Sequence, residues 1–294
     1  MRITPDESIG LWVPQGVYRK IRQKLGELVK RLQAVRSATR LSAAPGEAAA
    51  KPYFVRAYVE HTKRLLESWG SREGALQAAV GSATPEDYEM IGKLEKALLI
   101  YAGLRPDDTL VDIGCGSGRL AVQLSGWLEG HYLGTDVVQA LLDHATHASA
   151  SPDWRFERVS GLTVPTGSDS VDMACAFSVF THLRHEESYV YMRDIHRVLK
   201  PGGRLVFTFL EFAVPALWAV MEGNIASIGK EAVLNQFMSL DAVEAFAQHL
   251  GFELVEVHRS DDPFFPVMDQ SAAGNLRNEF HSLGQSVAIY RKPG

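Results

Sequence analysis

The residues best placed for chemistry are three glycines at alternate positions, Gly114, Gly116 and Gly118, within the stretch TLVDIGCGSG. An apolar run rich in β-forming residues precedes them at 109–113, and a helical pattern follows at 119–124. Glycine has no Cβ, so it adopts positive φ and lets a ligand approach the main chain. The free N–H groups at the start of the following helix point at the same place. The stretch therefore predicts a nucleotide-type binding turn.

Two acids accompany the glycine turn. Asp112 lies inside the run before it, and Asp136 ends the next apolar run, eighteen residues after Gly118. An acid at the end of the second strand can accept both hydroxyls of a ribose. Asp136 could also cap the helix that follows it, and the two roles are compatible. The glycine spacing is one residue tighter than in the G-x-G-x-x-G dinucleotide turn, which disfavours a nicotinamide-dependent oxidoreductase.

The composition is that of a globular chain with an ordinary core. Of the 294 residues, 46% are hydrophobic and 22% are charged, and the formal net charge is −5. This weakly acidic balance has no bulk attraction for nucleic acid or anionic lipid, so we expect no nucleic-acid partner. The two cysteines, Cys115 and Cys175, cannot form a disulfide framework and fit a reducing compartment.

The sequence also indicates where the protein works. The N-terminal stretch has no long apolar segment behind a basic start, so no signal peptide is evident. The most apolar stretch, 205–221, contains Glu211 and Pro215 and is shorter than a membrane span of ~20 residues. We interpret it as a strand that runs into a helix. These features predict a cytoplasmic protein without a membrane span.

The chain divides into three parts: a basic helical arm and linker at 1–52, a helical cap at 53–103, and a main domain at 104–294. Within the arm, residues 17–36 repeat apolar side chains at three- and four-residue steps, and half of the other positions are basic. This helix could dock a partner protein, a second copy of the chain or an anionic surface. Alternatively, it packs on the main body and keeps its lysines in water.

Strands and helices alternate in the main domain. Strands are predicted at 109–113, 131–135, 154–159, 171–177, 204–210, 252–258 and 286–291. Helices are predicted at 118–128, 138–148, 185–199 and 240–250. This alternation indicates an α/β fold, a doubly wound and mostly parallel sheet with an N-terminal helical extension. The segment 261–285 has no comparable helical pattern, which favours an antiparallel last strand.

Taken together, these motifs resemble the class I S-adenosylmethionine-dependent methyltransferases. VDIGCGSG, the acid in GTD, VDMACAFSVFTHL and LKPGGRLVFTF carry the resemblance, which extends over about 86–292. It implies a seven-stranded sheet with an antiparallel last strand, and S-adenosylmethionine as the cofactor. The SVFTHL stretch is most similar to enzymes of sugars and small metabolites. The implied acceptor is a hydroxyl, or less favourably an amine, of a small molecule or sugar. No carboxylate cluster suggests a metal.

The resemblance also implies roles for individual residues. The glycine turn faces the methionyl group and ribose, Asp112 orients the amino group through water, and Asp136 holds the ribose hydroxyls. The chain has Val-Ser-Gly-Leu where the family often has an acid for the adenine amino group, so Ser160, backbone groups and Leu162 are expected to hold adenine. The full set predicted to bind the cofactor is Asp112, Gly114, Cys115, Gly116, Gly118, Asp136, Val137, Ser160, Gly161, Leu162 and Phe177.

A general base for methyl transfer is expected near the carboxyl ends of the strands. His182 is the first candidate, because an imidazole near neutrality can remove a proton from the acceptor. It could instead fix its loop by a hydrogen bond. Glu211 is a second candidate that could instead cap a helix at 213–222, and His185 is a third.

The segment 212–238 is an insert that we expect to cover the substrate, and we call it the lid segment. Trp218, Met221 and Phe237 are predicted to line its inner side, although they could equally fill the core beneath the sheet edge. An alternative function is a non-catalytic methyltransferase-fold module that docks a partner enzyme through its N-terminal arm. The intact glycine turn and Asp136 argue against that alternative.

Overall fold

The computed structural model describes residues 52–229, 232–267 and 279–294. All of them belong to one unit of the chain, Lys51–Gly294. The basic helix predicted at 17–36, with its proposed docking to a partner or a second copy, lies outside the described residues.

Three helices come before the sheet: α1 (Tyr53–Ser68), α2 (Arg72–Ala78) and α3 (Pro85–Tyr101). The start of α3 follows its local sequence, because the Thr84 hydroxyl accepts a hydrogen bond of 3.1 Å from the Asp87 N–H and proline occupies the first turn. The short α2 begins in the same way, with Ser71 accepting from the Gly74 N–H.

The main domain contains five further helices and ten strands within its described part. The helices are α4 (Arg119–Leu124), α5 (Gln139–Ser149), α6 (His185–Val198), α7 (Trp218–Ala226) and α8 (Leu240–Leu250). The first five strands are β1 (Leu110–Ile113), β2 (Tyr132–Asp136), β3 (Arg155–Arg158), β4 (Val171–Ala176) and β5 (Leu199–Glu211). The others are β6 (Phe237–Met238), β7 (Glu253–His258), β8 (Phe265–Val267), β9 (Glu279–His281) and β10 (Ser286–Arg291).

The main sheet has the order β3-β2-β1-β4-β5-β10-β7, and β6 pairs separately with the end of β5. Strands β1 to β5 pair in parallel, whereas β10 is antiparallel to both β5 and β7. The predicted fold, a mostly parallel sheet with an antiparallel last strand, is confirmed. The chain between β7 and β10 includes the antiparallel pair β8–β9, where the sequence indicated only a loop.

Hydrophobic cores lie on both faces of the sheet. Phe207 of β5 packs with Met192 of α6 and Val243 of α8 in one core, whereas Val206 packs with Leu99 of α3 in the other. Successive side chains of a strand point to opposite faces, so one strand serves both cores. Coverage on both faces is typical of parallel sheets. Because β1 to β5 are parallel, their carboxyl ends lie at the same edge of the sheet.

The apolar stretch 205–221 divides as expected, with β5 ending at Glu211 and α7 beginning at Trp218. Within residues 52–229, 232–267 and 279–294, no helix is long and apolar enough to cross a membrane.

Candidate active site

A cavity of about 430 Å³ opens at the carboxyl ends of β1 to β4. The strand order reverses between β1 and β4, and ligands of open α/β sheets bind at this kind of switch point. Residues of α1, of the connection between α2 and α3, and of the lid segment close the cavity from the other side. The size falls in the range of about 300–1,000 Å³ that small-molecule sites occupy.

The glycine turn forms one wall of this cavity. Gly114, Gly116 and Gly118 have φ of +66°, +56° and +88°. A Cβ on Gly116 would lie 2.3 Å from Val80 Cγ1, and one on Gly118 would lie 2.8 Å from the Cα of Ala145 in α5. Gly114 and Gly116 line the cavity with Cys115, whereas Gly118 packs against α5 outside it. The first two glycines thus leave bare backbone for a ligand, and the third permits close helix packing.

Asp136 lies beside the glycine turn at the end of β2. Its Oδ2 accepts the Gly116 N–H at 3.1 Å and its Oδ1 accepts the Val138 N–H at 2.8 Å. Burial raises its pKa to about 6, and these N–H donors limit the rise. A carboxylate offers about four lone-pair sites, so Asp136 can accept further donors. The capping role predicted for Asp136 is wrong, because the N-cap of α5 is Val138 and no side chain caps this helix, whereas its position leaves it able to accept ribose hydroxyls.

Asp112 is buried in β1 beneath the same wall. Its Oδ2 accepts a hydrogen bond of 2.7 Å from the Tyr132 hydroxyl, and burial raises its pKa to about 7. Cys115 is also buried, and its pKa is raised well above the ordinary value by burial and by the nearby acids. Its thiol is therefore uncharged at neutral pH, as expected of a residue that fills space in the turn.

A buried ion pair near the glycine turn has no counterpart in the sequence-based prediction. Arg119, the first residue of α4, binds Glu95 of α3 with Nη2 2.5 Å from Oε1 and Nε 3.2 Å from Oε2. Its Nη1 also donates to the Val80 carbonyl at 2.8 Å. The pair therefore holds the connection between α2 and α3 over the cavity. An arginine directly after the glycines was a visible signal, but no spacing rule linked it to Glu95.

Some of the predicted adenine-binding residues lie at the cavity and others do not. Val137 and Gly161 line it, and Val159 joins them. Ser160 is exposed outside the lining, and Leu162 packs against the core beneath α6. Phe177 lines the cavity at the end of β4.

His182 lies in the turn after β4 and lines the same cavity as the glycine turn. Its Nδ1 is 2.6 Å from the Leu234 carbonyl oxygen, which can only accept. Nδ1 therefore carries the proton, and Nε2 is left as an acceptor. Burial lowers the pKa of His182, and His61 nearby lowers it further. The Tyr58 ring contacts the imidazole edge-on at 5.1 Å between centroids. His182 is thus a neutral imidazole with a fixed tautomer.

The two other predicted bases do not line the cavity. His185 Nε2 lies 2.9 Å from the Phe237 carbonyl oxygen. Glu211 accepts a hydrogen bond of 2.9 Å from the Ser286 hydroxyl and pairs with Arg259, whose Nε is 3.3 Å from Oε1. Both side chains instead fasten neighbouring segments.

The lid segment reaches the cavity through Val220, Val233 and Asn235. The residues predicted for its inner side lie elsewhere. Trp218 is exposed and donates from Nε1 to the Phe212 carbonyl. Met221 and Phe237 pack in a small cluster with Leu210, Val214, Leu217 and Val220.

The fold and this site define the class of the domain. Residues 110–203, from β1 into β5, match the family model of a methyltransferase domain. This region is a class I S-adenosylmethionine-dependent methyltransferase domain, as the motifs predicted, and S-adenosylmethionine is its cofactor.

Two curated relatives illustrate the similarity. The 27-O-demethylrifamycin SV methyltransferase of Amycolatopsis mediterranei is 29% identical over 177 residues, 58% of this chain and 63% of that protein. The arsenite methyltransferase of Halobacterium salinarum is 27% identical over 184 residues, 60% of this chain and 45% of that protein. The chain thus spans less than two thirds of either relative's length.

Solved structures share the fold. A magnesium protoporphyrin IX methyltransferase from Synechocystis PCC 6803, solved with bound SAH, aligns with a TM-score of 0.54 at 14% identity. The alignment covers 82% of this chain and 96% of that one. A chain from the Haloferax volcanii complex of the Trm112 methyltransferase activator with a putative methyltransferase aligns at 0.55 and 16% identity, covering 84% and 100%.

Proposed function

We propose that the protein transfers the methyl group of S-adenosylmethionine to a hydroxyl group of a small molecule. The observation that carries this proposal is one cavity lined by the glycine turn, by Asp136 and by a neutral His182 whose tautomer is fixed. The similarity to methyltransferases of small molecules supports the same class of reaction.

The cofactor fits the residues around the glycine turn and Asp136. Bare backbone at Gly114 and Gly116 and the remaining acceptor capacity of Asp136 suit the methionyl group and ribose of the cofactor. Val137, Val159 and Gly161 would contact the adenine, while Asp112 beneath the turn would orient the amino group. S-adenosylmethionine supplies an electrophilic methyl group on a sulfonium, and the protein contributes orientation and proton removal.

His182 is proposed as the general base. Its Nδ1–H is held by the Leu234 carbonyl, so Nε2 is free to take the proton of an acceptor hydroxyl. The lowered pKa keeps the imidazole uncharged at neutral pH, which is the form a base requires.

The proposal also gives roles to the helices of 53–103 and to the lid segment. The helices of 53–103 would form a cap over the site, and the lid segment would close it beside the acceptor. Phe54 and Tyr58 of α1 and Val220 of α7 are the contacts that support these roles.

Calorimetric titration with S-adenosylmethionine and with S-adenosylhomocysteine tests the proposal. We expect both to bind in the micromolar range, and Asp136→Ala to weaken both by about 10-fold or more, the loss of charge-assisted hydrogen bonds. Absence of binding at high micromolar cofactor would instead favour the non-catalytic module that docks a partner enzyme.

A further inference from the structure

One face of α1 forms a wall of the cavity. Phe54, Tyr58 and His61 all line it, at spacings of four and three residues that place them on the same side of a helix. Ring contacts run along this face, since Tyr58 meets His61 edge-on at 6.2 Å between centroids and meets His182 in the same way at 5.1 Å. The helix therefore presents a row of rings to a ligand in the cavity, with Tyr58 at its centre.

The position of Tyr58 relates it to the acid at the end of β2. Its ring packs against a small apolar cluster that includes Val138, as does Val137, and these two valines directly follow Asp136. Burial raises the pKa of Tyr58, Asp136 raises it further, and Arg119 lowers it. The tyrosine is therefore near both charged side chains, and its hydroxyl keeps its proton at neutral pH and can donate it to a hydrogen bond.

The hydroxyl of Tyr58 has no hydrogen-bond partner within the described part of the chain. The cation near it is already engaged, because Arg119 is paired with Glu95 and donates from Nη1 to the Val80 carbonyl. A polar group without a partner gains from any ligand that supplies one. The Tyr58 hydroxyl is thus a free donor in the cavity wall, on the side where Asp136 lies.

A ribose supplies the acceptor that this hydroxyl lacks. A carboxylate can only accept, so each ribose hydroxyl held by Asp136 would give its one proton to that acid and keep its oxygen lone pairs. Those lone pairs can accept the O–H of Tyr58, which lines the same cavity. A chain of hydrogen bonds from the phenol through the ribose to the carboxylate then uses each group in a direction that its chemistry allows.

We propose that Tyr58 is a cofactor-binding residue whose hydroxyl donates to the ribose of S-adenosylmethionine, so that α1 closes over the nucleoside part of the cofactor. This role rests on the proposed function and adds a second ribose contact to Asp136, from a helix that lies outside the family-matched residues 110–203. The same ring contacts His182, so one residue of α1 links the ribose to the proposed base.

Calorimetric titration of the full chain with two probes tests the role of Tyr58. One probe is S-adenosylhomocysteine, and the other is methylthioadenosine, which has the same adenine and ribose but lacks the amino-acid part. Tyr58→Phe removes only the hydroxyl and should weaken both probes by the same factor, about 3- to 10-fold, through the loss of one neutral hydrogen bond. A loss confined to S-adenosylhomocysteine would assign the contact to the amino-acid part and overturn the proposal, as would unchanged binding of both probes.

Tyr189→Phe is the matched control. The Tyr189 hydroxyl also lacks a partner among the described residues, but its ring packs on Phe246 and lies outside the lining of the cavity. Its substitution should leave both affinities unchanged. If the parent chain does not bind S-adenosylhomocysteine, the proposed function fails. If the parent chain and Tyr58→Phe bind it equally well, only the role of Tyr58 fails.

A double-mutant cycle shows whether Tyr58 and Asp136 hold the same group. Asp136→Asn loosens the ribose, so the loss of S-adenosylhomocysteine affinity caused by Tyr58→Phe should be at least about twofold smaller in that background than in the parent chain. Equal fold-losses in the two backgrounds would show two independent contacts and contradict a shared ribose.

Discussion

The Nδ1 atom of His182 lies 2.6 Å from the carbonyl oxygen of Leu234, a residue fifty-two positions further along the chain. The hydrogen bond joins the turn after β4 to the lid segment and sets which ring nitrogen carries the proton. The main-chain bond from the Gln236 N–H to the Thr181 carbonyl, at 2.6 Å, runs beside it. Orientation of the His182 imidazole therefore depends on the lid segment.

This relationship predicts the pH dependence of methyl transfer. Because burial lowers the pKa of His182 from its ordinary value of 6.5, the neutral form is present throughout the range above that value. The rate kcat/KM should be flat from about pH 7 upward and fall only as the medium becomes more acidic than about pH 6.5. Activity that still rises between about pH 7 and pH 9 would contradict this assignment.

Substitution of the base should have a large effect on turnover. His182→Ala should lower kcat by about 10²- to 10⁴-fold, the usual contribution of a positioned base, with little change in cofactor affinity. Glu211→Gln is the matched control, since Glu211 lies outside the cavity with Ser286 and Arg259. If both variants keep near-full turnover, the reaction proceeds by proximity alone and His182 serves only to fasten the lid segment.

Cofactor affinity should depend on the ionisation of Asp136. In the proposed complex the ribose hydroxyls donate to its carboxylate, so the ionised form should be the one that binds, and affinity should decline as the pH falls through about 6. Asp136→Asn should weaken S-adenosylhomocysteine by about 10- to 100-fold and remove this decline. Asp143→Asn, an exposed acid on α5, provides the control. Calorimetry over a pH series measures both effects, and an unaltered pH profile in Asp136→Asn would exclude this role.

The glycine turn offers a steric test with an internal reference. Gly116 and Gly126 both have positive φ, +56° and +73°, but a Cβ would clash with Val80 only at Gly116 and would meet nothing within 4 Å at Gly126. Both alanine variants should lose about 1 kcal/mol from the strained backbone. Gly116→Ala should lose about 1–3 kcal/mol more from overpacking.

Urea unfolding of the two glycine variants measures this difference. Adding Val80→Ala to Gly116→Ala should recover part of the additional loss, because it removes the clashing methyl groups. Equal destabilisation at the two positions would show that the turn tolerates a side chain beside Val80.

The buried pair of Glu95 and Arg119 should matter for stability. Arg119→Met leaves the Glu95 carboxylate buried without its partner, which should lower the free energy of unfolding by about 3–5 kcal/mol. The double variant Glu95→Leu with Arg119→Met should be more stable than the single one, because no unpaired charge remains. Glu67→Gln, in the exposed pair with Lys63, should change stability by less than about 0.5 kcal/mol. A double variant no more stable than Arg119→Met would contradict this account.

Much of the fold, the glycine turn and the position of Asp136 follow from local sequence. The seven main strands lie within a few residues of the predicted runs, except that β5 begins at Leu199 rather than at 204. The additional residues of β5 pair with the start of β4 across a register shift. The glycine turn and the position of Asp136 at the end of β2 were also predicted. These features depend on periodicity, backbone freedom and short spacing, all of which are encoded by residues close together in the chain.

The position of His182 and the contacts that fasten the site were decided by tertiary packing. His182 and His185 are three residues apart, yet only the first lines the cavity, because the short helical turn between β4 and α6 directs them differently. Glu211 meets Arg259 and Ser286, and Glu95 meets Arg119, through contacts between distant segments. Such pairings depend on how helices and strands are placed in space, which the residue pattern of one segment cannot specify.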